Sequence, residues 1–482
     1  MTWTTIVTAS TRVALVIVLL LGPGCGSSAT VRRADDLLRS GDYARAELEV
    51  DRALAATPEA EELLAMRVRI LVARDRRAEA AGACGRVAGA EKRAQLLRAL
   101  SEAVVSWGLG QRDPAVRLSA IHVARGADMA PLAETVAARL DDPDEVVRTW
   151  AAVALSGEPR GADVLERMLG AGKPEARAVA VRELGRLAGR AAVRTVASFA
   201  ADRSPLVRAA AADGLGHVAR PEALPTLERL AADPQAEVRQ AALSALERIG
   251  DPRGVELARR ALRDPYLGVR LAALLALVRI EGNRARPTLA LVAAGADRLM
   301  ALRAGVQLAK LGDPTPALAL LGQGVRDALA TVRLAALAAA STVDHPRVLE
   351  LVATRLRDPD PEVRAAAARA LLSRKGDAAA ARNVARNLKG LACGRGATSA
   401  DAFRAPGLCL QAAELLLRAE DNDGLQLLSD LARRARLGRD RLQALELALM
   451  RGAGPELALA GVADADPYVA LASARWIYLR NR

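Results

Sequence analysis

The sequence predicts an all-α fold, a right-handed α-solenoid in which helix pairs stack into a superhelix. Three observations predict it. Of the 482 residues 51% are apolar and only 2% aromatic, so a sandwich or barrel, whose strands lean on aromatic and β-branched residues, is disfavoured. The apolar fraction supports a folded core, rich in Ala, Leu and Val, that suits closely packed helices. A short phrase ending in Val-Arg also recurs at a near-constant period over about three quarters of the chain.

Residues 1–25 read as a signal peptide. Arg12 precedes the run Val13–Leu21. Nine apolar residues are too few to cross a bilayer, which takes about 20, but they fit the apolar region of an export signal. Gly22-Pro23-Gly24 ends the run. Cys25 follows, with Gly26-Ser27-Ser28 behind it. This resembles a bacterial lipoprotein signal, which implies lipidation of Cys25 and a lipid-anchored place in the bacterial cell envelope. The departure from the lipoprotein pattern is Gly22, where Leu is expected. Ordinary cleavage after Ala29, giving a periplasmic or secreted soluble protein, stays open.

Residues 26–106 follow. Gly41, Tyr43, Ala46, Ala53 and Pro58 supply a turn, an aromatic, two small packing residues and a closing proline. Ala80 and Cys84 lie 34 residues after Ala46 and Val50. The segment resembles a pair of tetratricopeptide repeats. The second unit departs from the pattern, with Asp75 and Arg77 replacing Gly and aromatic.

Residues 107–482 carry the period. The phrase is Asp113-Pro-Ala-Val-Arg117, then Asp142 to Arg148, Ser204 to Arg208, Asp233 to Arg239, Asp264 to Arg270 and Asp358 to Arg364. Arg177 and Arg333 fall on the same beat. The steps are 31, 29, 31, 31, 31, 63 and 31 residues. Leu410, Arg441 and Ala470 continue it, and with the weak copy near Ala301 the array has twelve units. Asp or Ser before Pro reads as an N-cap followed by a first-turn proline. Val238, Ala241, Ala242 and Leu246 then share one helical face. Gly250-Asp251-Pro252 ends the helix, and Val255–Leu262 forms the second of the pair. No pair buries its apolar side alone, so neighbours must stack.

The array resembles the HEAT-like repeats of the phycobilisome-lyase type. The resemblance implies that the capping Asp and the Arg form a ladder between repeats. Arg117, Arg148, Arg208, Arg239, Arg270 and Arg364 are then structural, and the ladder breaks at Ala301, Leu410 and Ala470, which lack the Arg. Between Arg364 and Leu410 the spacing is 46 residues. The surplus is an inserted loop, 393–409, with Cys393 and Cys409 at its ends. In an oxidising compartment such a pair is expected to form a disulfide.

Five lysines among 69 basic residues leave 64 arginines, spread evenly, and the formal net charge is +13. Even spacing speaks for structural arginine rather than a nucleic-acid tail. His122, His217 and His345 are scattered and form no metal-ligand spacing, and no His-Glu pair matches the iron-binding HEAT hydroxylases. No nucleophile elbow, phosphate loop or dinucleotide motif occurs. The reading is a non-enzymatic protein–protein interaction scaffold without metal, cofactor or catalytic residues. It binds another protein on its concave surface, is held at the membrane by its lipid, and takes no nucleic acid. The alternatives are a chromophore lyase-like clamp and a nucleic-acid-binding solenoid, each by analogy of fold.

Overall fold

Each recurring phrase folds as the opening of a helix. The computed structural model describes residues 27–85, 87, 89–156, 158–188, 192–373, 377–393 and 405–481, and these hold 28 α-helices joined by turns and short 3-10 segments. Cys25 lies outside the described residues, as does the centre of the inserted loop, 394–404.

The helix Ala236–Ile249 shows the logic of one unit. Val238, Ala242, Leu243, Ala245 and Leu246 are buried on its inner side. Gly250 ends it in the left-handed region, φ 66°, where the absence of a Cβ removes the steric penalty. Asp251 then accepts from the Arg253 amide, and Val255–Ala261 runs back as the second helix. Leu267–Glu281 opens the next unit.

The Asp before Pro was expected to cap the helix. In the short phrase Asp113 accepts from the Ala115 amide at the start of Pro114–Gly126, whereas Ser204 stands at the cap position of Pro205–Val218 without a side-chain cap hydrogen bond. In the longer phrase the turn has two more residues, and the cap position moves to Asp144, Gln235, Tyr266 and Asp360. Asp142, Asp233, Asp264 and Asp358 therefore stand outside their helices.

The described residues divide into two compact units. Unit 2 comprises residues 166–393 and 405–424. Its first helices, Pro174–Ala188, Pro205–Val218, Ala236–Ile249 and Leu267–Glu281, pack side by side in order. Glycine sets how near they come. A Cβ on Gly185 would lie 2.5 Å from the Gly214 carbonyl oxygen, and one on Gly216 would lie 2.8 Å from the Ala245 Cα. Around these contacts the core is mostly Ala, Leu and Val, with Ala210, Ala211, Leu215, Val238 and Leu246 fully buried.

Unit 1 comprises residues 27–165 together with 425–481. It starts with two helical hairpins, Ser27–Ser40 with Tyr43–Ala56 and Glu61–Ala73 with Arg77–Gly85. Ala34, Ala46, Val50, Leu63, Met66 and Ile70 form a core where the first three of these helices meet. Gly41 turns the first hairpin at φ 83°, and Asp75, at φ 58°, makes the same left-handed turn without glycine. The last helix, Pro467–Arg480, packs on Ala90–Leu109 and on Pro114–Gly126, and Pro455–Val462 packs on Arg77–Gly85. Leu471 fills the space a side chain at Gly108 would take, at 2.9 Å. Within unit 1 the helices Pro114–Gly126 and Pro467–Arg480 are thus neighbours.

Gly185→Ala should place a methyl against backbone that cannot rotate away. We expect a loss of about 1–3 kcal/mol in denaturant unfolding, whereas Gly170→Ala, where a Cβ meets nothing within 4 Å, should be neutral or slightly stabilising.

Candidate functional site

The feature that repeats through both units is a set of arginine–aspartate bridges between successive turns. Arg117 sends Nε and Nη2 to the two carboxylate oxygens of Asp142, at 2.8 and 2.7 Å. Arg208 does the same to Asp233 at 2.6 and 2.9 Å, and Arg239 to Asp264 at 2.7 and 2.9 Å. The remaining nitrogen, Nη1, turns back to its own loop. Arg208 Nη1 donates to the Asp202 and Arg203 carbonyls, and Arg239 Nη1 to those of Asp233 and Pro234. Each acid also accepts an amide two residues on, as Asp233 does from Gln235. One guanidinium therefore fastens its own turn to the next, and one carboxylate shapes the turn that receives it.

The arginines named from the sequence do not all stand alike. Arg270 reaches Asp297 through Nη2 at 2.6 Å. Arg148 donates to the Asp142 and Pro143 carbonyls and lies 3.6 Å from Glu145, with no acid of a following repeat in reach among the described residues. Arg364 donates to the Asp358 and Pro359 carbonyls, and its Nε is buried without a hydrogen-bond partner.

Several members were not picked out by the phrase. Arg177 bridges to Asp202 at 3.0 and 3.1 Å, Arg333 to Asp358 at 2.9 Å, and Arg441 to Asp464 at 2.8 Å through both nitrogens. At the weak unit near Ala301, Asp327 is still met, by Arg298 at 2.6 Å, so the ladder is rerouted there rather than broken. The signal that finds the acids is their place six residues before the next arginine, which holds for Asp142, Asp202, Asp233, Asp264, Asp327 and Asp358.

Electrostatics follow from these contacts. The Arg208 hydrogen bond holds the Asp233 carboxyl below the usual carboxylate range, and the Arg239 hydrogen bond does so for Asp264. Burial pushes the Cys84 thiol up to about 12, so it is a packing group rather than a nucleophile.

Cys393 and Cys409 are joined by a disulfide, with Cα atoms 5.8 Å apart. It ties the end of Ala378–Ala392 to the start of Pro406–Arg418. Trp107 lies under the Arg77 guanidinium at 4.1 Å, Trp150 meets His122 edge-on at 4.3 Å, and Trp476 lies under Arg480 at 5.3 Å. His345 caps Pro346–Ala353 by accepting the Arg347 amide. No group of three or more metal-ligating side chains occurs among the described residues.

Two predictions follow from the ladder. Arg117 and Asp142 are buried, with side chains 7% and 0% exposed. Asp142→Ala should cost about 3–5 kcal/mol by stranding a buried cation, and pairing Arg117→Met with Asp142→Leu should restore most of it. Denaturant titration of the two variants beside the wild type checks this. The second concerns acid. A carboxylate whose folded pKa is depressed contributes stability that is present above its unfolded value, about 3.9, and is lost as pH falls through the folded value. The wild type should therefore lose stability below about pH 4, and Asp264→Asn should lose less over that interval, as read from melting temperature against pH.

A family model for HEAT repeats matches residues 161–247, 227–309 and 318–389, and the chain carries HEAT repeats across that span. No curated protein matches the sequence. Among solved structures, the CpcE–CpcF complex of phycocyanin lyase from Nostoc sp. PCC7120 is 24% identical, covers 45% of this chain and 92% of that one, and has a TM-score of 0.31. Human deoxyhypusine hydroxylase is 21% identical over 52% of this chain and 99% of that one, with a TM-score of 0.23. Kap121p bound to Nup53p is 14% identical over 89% of this chain and 54% of that one, with a TM-score of 0.36.

Proposed function

We propose that the protein is a non-catalytic scaffold of the bacterial cell envelope that holds a partner protein on the concave side of its HEAT array. The observation that carries this reading is the ladder. Its recurring acids and arginines engage each other and the turn backbones, as in Arg208–Asp233 and Arg239–Asp264. They serve the stacking of repeats, which leaves the helix faces to present a long, ordered surface. The same pairing speaks against nucleic-acid binding, because these arginines already have carboxylate partners.

The membrane link rests on the signal-like segment that ends at Cys25. No helix among the described residues is long and apolar enough to cross a membrane, so attachment would run through the lipid. Cys25→Ser should move the protein from the detergent phase to the aqueous phase on phase separation. A wild type that partitions into the aqueous phase and begins near Thr30 would establish ordinary cleavage instead. Crosslinking in intact envelopes, followed by purification, should yield one dominant partner protein in the wild type. Recovery of nucleic acid or a bound chromophore in its place would support the alternatives.

A further inference from the structure

Where the start of the helix Ala90–Leu109 meets the last two helices of unit 1, they form an open cavity of about 500 Å³. Val87, Leu97, Pro455 and Trp476 supply apolar wall, and Arg93 and Arg480 are the charged residues of the lining. No acid lines it. The nearest identified carboxylate partner is Glu456, 4.0 Å from Arg93 and largely in solvent. The Arg480 guanidinium is exposed and lies 5.3 Å from the Trp476 ring centroid, with no carboxylate partner among the described residues.

The volume falls in the range of small-ligand sites, about 300–1,000 Å³. The lining sets the chemistry of the occupant. A purely ionic ligand would leave the Trp476 and Leu97 surface uncovered. A neutral apolar one would offer no acceptor to the two guanidinium groups beside it. An apolar side chain beside a free carboxylate satisfies both halves. We propose that this cavity captures the C-terminal residue of a partner protein, with its apolar side chain against Trp476 and its terminal carboxylate between Arg93 and Arg480.

The proposal rests on the protein-binding reading and gives it a place and a chemistry. It has a mechanical corollary. Arg93 and Leu97 belong to the helix Ala90–Leu109, whereas Pro455, Trp476 and Arg480 belong to the last two helices. An occupant therefore touches helices from both ends of unit 1 and binds only when they are together, so it stabilises unit 1 by mass action.

The test uses the full chain and two synthetic peptides, acetyl-Gly-Gly-Ser-Gly-Gly-Phe with a free C-terminus and the same peptide amidated. Calorimetric titration should show the free acid binding with a Kd on the order of 1 mM, and the amide about tenfold weaker or not measurably. Arg93→Gln and Arg480→Gln should each weaken the acid about tenfold. Ala94→Phe, which fills the cavity and keeps both arginines, should abolish binding. Circular dichroism should show each variant folded. The acid should also raise the melting temperature of the wild type, and not that of Ala94→Phe. Equal binding of acid and amide, full affinity in both arginine variants, or no saturable binding in the millimolar range overturns the proposal. If the peptide binds but no partner protein is captured in the envelope, the scaffold reading falls and the cavity stands. If a partner is captured and the peptide does not bind, the cavity proposal falls alone.

Discussion

A guanidinium that reaches both its own turn and the next is the contact on which this architecture depends. A helix pair has no private core, so its place is fixed by its neighbour. Apolar packing supplies attraction but little direction, because Ala and Leu faces slide over one another. The fork from Arg239 to both oxygens of Asp264 fixes the register, and the third nitrogen occupies carbonyls of the turn at Asp233 and Pro234. Lysine could not do this, since its ammonium is a single point with no planar fork. The scarcity of lysine beside 64 arginines is thus in part a consequence of geometry.

Ladder and glycine work together in unit 2. Gly185 and Gly214 let two helices touch through their backbones, and a close approach of that kind tolerates no error in height. The ladder holds the height constant from one repeat to the next. Where the phrase weakens near Ala301, Arg298 approaches Asp327 from a different position and the stack continues. What is retained is the acid in the turn and a guanidinium within its reach, rather than one fixed arginine site.

Much of the fold was legible because the ladder leaves a periodic trace. Arg117, Arg208, Arg239 and Arg270 could be placed on a common beat by counting. The role of the acids was harder to read, since Asp113 and Asp233 both precede Pro and look alike as caps. The difference lies in a turn longer by two residues, which moves Asp233 outside its helix and toward Arg208. Cys393 and Cys409 stood out by their position at the ends of the insertion. The seam cavity left no sequence signal at all. Arg93 and Arg480 belong to no shared motif, and only three-dimensional packing brings Leu97 and Trp476 to one wall. Cys25 and the loop centre are known from the sequence alone.

The meeting of Gly108 with Leu471 has a consequence for how the chain acquires its structure. These residues are about 360 positions apart, and contacts of such separation form late because a long loop must close first. Unit 2 can collapse while the polypeptide is still being made, since its contacts join neighbours in sequence. Unit 1 cannot. The helix Ala90–Leu109 keeps an apolar side uncovered until the helix Pro467–Arg480 has emerged. A truncation that removes only the last helix therefore damages the beginning of the protein, and it leaves exposed a surface of the kind that chaperones bind and that aggregates grow from.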